Sequence, residues 1–112
     1  MNRSKAKGTG AESAVADYLR SQGWSQVERR ALAGAQDKGD IAGVPDTVIE
    51  VKNHATIKLA EFVDEANTER DNAGVEYGVA WIKRRGTTDP GKWYVAMDGA
   101  TFCRLLVAAE LS

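Results

Sequence analysis

The chain has 112 residues, with fifteen Lys or Arg against sixteen Asp or Glu, so its formal net charge is −1. That length fits one domain of about 100–200 residues and leaves no room for a separate cofactor module. At 43% apolar it can bury a core, no apolar run approaches the roughly 20 residues of a membrane span, and a lone Cys103 with a lone His54 excludes an internal disulfide and a zinc finger.

Residues 1–8, with Arg3, Lys5 and Lys7 and no acid, read as a flexible basic leader, and 9–112 as one domain. No apolar stretch follows the leader, so no signal peptide is expected and a cytoplasmic setting fits. The first helix is predicted over Gly10 to Gln22. Thr9 as N-cap and Glu12 three residues on have the spacing of a capping box, and Gly23 supplies the stop. Glu12 shares a face with Val15, Ala16 and Leu19, at the edge of the stripe that packs on the core.

A first strand lies within Trp24 to Leu32. A Gly- and polar-rich turn, Ala33 to Gly39, leads to a short strand at Asp40 to Gly43, and Val44-Pro45-Asp46 turns the chain into a third over Thr47 to Asn53. There Val48, Glu50 and Lys52 point one way, and Thr47, Ile49 and Val51 the other. The second helix spans Ile57 to Ala73, with Leu59, Phe62, Val63, Ala66, Arg70 and Ala73 as its stripe and Gly74 as its end. Tyr77 to Lys83 is an apolar fourth strand, Arg84 to Gly91 a polar loop, and Lys92 to Met97 a fifth strand. Asp98 then caps a last helix whose apolar stripe is Phe102, Leu105, Leu106 and Ala109. The order α-β-β-β-α-β-β-α implies an α/β fold: a mixed central sheet flanked by helices, with strands three and four parallel across a crossover.

Buried strands rarely hold charge without a reason. Asp40 opens strand two, and a tight hairpin brings it beside Glu50 and Lys52, which stand roughly 6.5–7 Å apart on one face. Glu12 can approach from helix one. Three carboxylates and an ammonium on one sheet edge make a hard-cation site, because Mg²⁺ takes oxygen ligands and usually one or two carboxylates with water and phosphate. Asp40 and Glu50 are the natural ligands, the Val51 carbonyl a third, and Glu12 a direct or water-mediated fourth. Lys52 would position the attacking water and stabilise charge in the transition state of phosphodiester hydrolysis. The plain alternative is an ion pair of Lys52 with Asp40 or Glu50, which leaves three acids around one base unexplained.

Gly39-Asp40, nine residues, then Glu50-Val51-Lys52, preceded by a helix bearing Glu12, resembles the PD-(D/E)XK nuclease superfamily, with Gly39 where that pattern often has Pro. The stretch Lys7-Gly8-Thr9-Gly10-Ala11-Glu12 and the size look most like archaeal-type Holliday junction resolvases and their phage-encoded relatives. The resemblance spans about Lys7 to Lys83. It implies a restriction-endonuclease-like αβββαβ core, Mg²⁺ or Mn²⁺ as cofactor, Asp40 and Glu50 as metal ligands, Lys52 as the catalytic lysine and Glu12 as the helix-one acid. It also implies branched DNA as substrate, in a bacterial or archaeal cell. Symmetric cutting of a junction needs two active sites, hence a C2 homodimer, for which Trp93 to Leu111 offers apolar elements.

Lys5, Lys7, Arg30, Lys83, Arg84 and Arg85 are the candidate DNA contacts. His54 reads as an exposed strand-end residue, with a phosphate contact as the alternative; Glu65 and Asn67 read as part of an exposed acidic helix face, with a place in the site lining as the alternative; and Trp81, Trp93 and Tyr94 read as core or dimer interface. Two other functions stay open: a nicking, repair or restriction-type nuclease acting with a partner, and a non-catalytic DNA-binding module on a nuclease fold.

Overall fold

The computed structural model of the chain describes the backbone of residues 3–30 and 39–110, and side chains from residue 10 onward within those spans. Its elements are α1 (Arg3–Ser21), β1 (Glu28–Arg29), β2 (Ile41–Ala42), β3 (Thr47–Lys52), α2 (Leu59–Ala73), β4 (Tyr77–Ile82), a 3₁₀ turn (Pro90–Lys92), β5 (Tyr94–Ala96) and α3 (Gly99–Glu110). The strands form one mixed sheet in the order β1-β2-β3-β4-β5, in which only the β3–β4 pair is parallel. The element order and the β2–β3 hairpin are those the sequence predicts.

β3 and β4 are the centre of the sheet because their β-branched and aromatic runs suit a pleated, buried surface. They pair in register from Thr47↔Tyr77 to Lys52↔Ile82, so both end at the same edge. Alternation then sorts the side chains. Ile49, Val79 and Trp81 face α1 and join Ala11, Val15, Ala16 and Leu19 in the main core, with Val27, Ile41 and Trp93. The opposite face carries Val48, Glu50 and Lys52 beside Ala80 and Ile82, under Phe62 of α2. Gly78 sets how closely α2 lies there: a Cβ at that position would stand 2.6 Å from the Ala66 carbonyl oxygen.

Three expectations change. First, α1 begins at Arg3, not Gly10. Thr9 therefore lies inside the helix and cannot be its N-cap, and the capping box with Glu12 is lost; the Lys5-Ala6-Lys7 stretch consists of good helix formers. Second, the buried stripe of α2 is Phe62, Ala66 and Glu69, while Leu59 stays 54% exposed. Third, α3 does not bury its apolar stripe. Asp98 does cap it, accepting the Thr101 N–H at 2.8 Å, and Asn67 of α2 donates to the same carboxylate at 2.9 Å. Thr101 is buried and Arg104 pairs with Glu76 at 3.0 Å, but Phe102, Leu106 and Val107 remain more than half exposed. Among the described residues no helix is long and apolar enough to cross a membrane.

Candidate metal centre

The hairpin delivers Asp40 to the edge of β3 by backbone geometry. Gly39 has φ +95, and a Cβ there would meet the Val48 side chain at 2.9 Å, so glycine is required. Proline, fixed near φ −65°, could not take this conformation. The Asp40 N–H donates to the Ile49 carbonyl at 2.9 Å, and its own carbonyl accepts the Arg30 N–H at 2.8 Å. Its carboxylate accepts the Val51 N–H at 2.7 Å. A strand residue turns its N–H and carbonyl to the same side, so the Val51 carbonyl also faces Asp40, beyond the end of β2.

Glu50 is 3% exposed, and its Oε2 is buried with no hydrogen-bond donor. Burial pushes its pKa from 4.5 up to about 9, with the Glu69 carboxyl adding to the rise. Burial, then the neighbouring Glu50, raises Asp40 from 3.8 to about 8. Asp40 resists ionising beside Glu50, and Glu50 beside Glu69, as expected for carboxylates in a desolvated site. Lys52 is 9% exposed, and its Nζ lies 2.7 Å from Glu65 Oε2. Burial pulls the Lys52 pKa down, but the Glu65 hydrogen bond and the charges of Glu50 and Asp40 outweigh it, so the group stays cationic. The ion pair considered from sequence, Lys52 with Asp40 or Glu50, is thus replaced by one with Glu65.

Carboxylate oxygens of Glu50, Glu65 and Glu69 lie within 4.8 Å of one another. Glu65 and Glu69 are one helical turn apart on α2 and both face β3. The sequence favours a solvated face for Glu65 over a place in the site lining, and singles out no role for Glu69. The signal was present: Phe62, Ala66 and Glu69 fit a helical stripe as well as the chosen Phe62, Ala66 and Arg70. Counted together, Asp40, Glu50, Glu65 and Glu69 set four acids against the one ammonium of Lys52.

Glu12 stands apart from Glu50. It lies on α1, across the sheet from the Glu50 and Lys52 side chains, and pairs with Arg29 at 3.2 Å. It acts on the centre as a like charge near Asp40. His54 is exposed and packs against the Phe62 ring at 4.9 Å.

The basic residues gather beyond the ends of the parallel strands. The Lys83 N–H donates to the Lys52 carbonyl at 2.8 Å, so the loop after β4 starts beside the acidic centre. Lys83 lies over the Trp93 ring and Arg84 over the Tyr94 ring, each at 5.7 Å. Arg84, Arg85 and Lys92 line a pocket of about 380 Å³. Lys83 and Asn53 border a second cleft of about 340 Å³, against Ala11 and Ala14 of α1. Arg30 is exposed next to Asp40, and the side chains of Lys5 and Lys7 lie outside the described residues. Ligands of open α/β sheets commonly bind at this carboxyl end of parallel strands.

Comparison with protein-family models, curated proteins and solved structures returns no match. Function must be read from the centre itself. Its donors are oxygens only, one of them buried without a partner, and they fit a hard divalent cation.

Proposed function

We propose that the chain is a Mg²⁺- or Mn²⁺-dependent DNA endonuclease of the PD-(D/E)XK type, acting on branched DNA such as a four-way junction. The observation that carries this reading is the donor-less, buried Glu50 oxygen beside Asp40 and Lys52. A protein keeps such a group where a cation completes it, because an unpaired buried carboxylate costs several kcal/mol.

Asp40, Glu50 and the Val51 carbonyl would hold the cation, with Glu12 at the outer edge through water. Bound there, it would act as a Lewis acid on the phosphate and lower the pKa of a coordinated water. Lys52 supplies a fixed positive charge for the developing negative charge on the phosphate. Lys83, Arg84, Arg85 and Arg30 would take the flanking backbone phosphates. Selectivity would then come from DNA shape and backbone contacts. A C2 homodimer would present two centres to a junction, with the exposed apolar residues Tyr94, Val95, Phe102 and Leu106 at the contact.

The test is cleavage of a labelled four-way junction beside a matched linear duplex, with Mg²⁺, Mn²⁺ or EDTA, for the wild type and Glu50→Gln. Paired, metal-dependent cuts confined to the junction, reduced at least ~100-fold in the variant, are expected. Cutting of both substrates favours a nuclease guided by a partner protein. Junction binding without cutting leaves a DNA-binding module with structural carboxylates.

A further inference from the structure

The donors assigned above do not use up the acidic centre. Asp40 and the Val51 carbonyl approach Glu50 from the β2 edge, whereas Glu65 and Glu69 approach it from α2. Glu50 stands between the two groups and is itself 97% buried, the complement of its 3% exposure. Its Oε2 has no donor. Lys52, the nearest cation, is held by Glu65 at 2.7 Å.

We propose that Glu50, Glu65 and Glu69 form a second divalent-cation seat, so that the centre takes two cations sharing the Glu50 carboxylate. Ligand oxygens around one ion can be no farther apart than twice the metal–oxygen distance. That limit is about 4.2 Å for Mg²⁺ and about 4.6–5.2 Å for Ca²⁺. The three carboxylates, all within 4.8 Å of one another, match a hard cation with little movement. Close approach of α2 over Gly78 is what brings Glu65 and Glu69 this near the sheet. A cation in this seat competes with the Lys52 ammonium for Glu65. Loading would therefore turn Lys52 out of its ion pair, toward the phosphate side of the centre. The seat deepens the nuclease reading but rests on it only for the partner cation.

Mn²⁺ bound per chain, counted by the loss of the free-ion EPR signal without DNA, tests the seat independently of cleavage. Wild type, Asp40→Asn, Glu69→Gln and Glu65→Gln are compared, with circular dichroism confirming that each is folded. Glu65 is partly exposed, so Glu65→Gln keeps the test open should Glu69→Gln not fold. Two Mn²⁺ in the wild type are expected, and one in each α2 variant, with the lost ion bound at least tenfold more weakly. Asp40→Asn should also retain one, the α2 ion. Wild-type counts in both α2 variants overturn the seat. If Asp40→Asn alone lowers the count, the first cation site stands without the second. If the α2 variants alone lower it, the second seat stands and the Asp40 site fails.

Discussion

β3 presents two faces made by alternate residues of one strand, and they do opposite things. On the α1 side, Ile49 is 3% exposed and packs with Val15, Leu19 and Trp81. On the α2 side, Glu50 is buried to the same 3%, among Glu65, Glu69 and Asp40. Burying the first side chain contributes about 1.5–3 kcal/mol. Burying the second costs free energy, since a carboxyl leaves water without gaining a donor on one oxygen. Equal burial therefore does not mean equal stabilisation. The α1 face and the Phe62, Ala80 and Ile82 cluster hold the sheet together, and the acidic group beside that cluster draws on their stability.

Exchanging large for small on each face makes the contrast measurable. The largest effect belongs to the α1 face. Ile49→Ala should destabilise by about 3–4 kcal/mol in denaturant titration, because the cavity opens where α1, β3 and β4 meet. A loss under 1 kcal/mol would mean that this face is not the main core. At the other extreme, α3 carries its apolar residues outside the body of the fold. Leu106→Ala should shift the stability of the dilute protein by no more than about 0.5 kcal/mol. The same change should weaken self-association in sedimentation equilibrium if the proposed dimer uses this helix. A large loss of monomer stability would instead place Leu106 in a core.

The architecture was legible because its signals are redundant. Val48-Ile49-Glu50-Val51-Lys52 alternates, Gly74 caps α2 in the left-handed conformation, and Asp98 takes the Thr101 N–H, each as the local chemistry requires. The Asp40–Glu50–Lys52 grouping was legible for the same reason: a short hairpin fixes which residues meet. What escaped depends on contacts between elements distant in sequence. Glu69 looks like any acid of a charged helix until α2 settles over Gly78. Lys52 selects Glu65 because α2 offers an acid directly above it. Glu12 sits on α1, yet the pleat turns Glu50 to the other side of the sheet. The open stripe of α3 reads as core from spacing alone, since periodicity cannot say whether a partner surface exists.

The central claim is the proposal that the acidic group on the α2 face, around Glu50, is kept for a cation and not for stability. The most direct measurement is thermal unfolding of the wild type and Glu50→Gln across pH 5 to 9, with and without Mn²⁺. Glu50 and Asp40 have folded pKa values of about 9 and about 8, above their ordinary 4.5 and 3.8. The folded state therefore retains protons that the unfolded chain releases, and metal-free stability must fall as the pH rises from about 4 to about 9. Glu50→Gln removes the larger part of that loss, so it should be the more stable protein by about 2–4 kcal/mol at pH 8 and should show the flatter profile. Mn²⁺ should stabilise the wild type most at high pH, where it replaces the retained protons, and should do little for the variant. Equal pH slopes for the two proteins, with Mn²⁺ moving neither, would contradict the account.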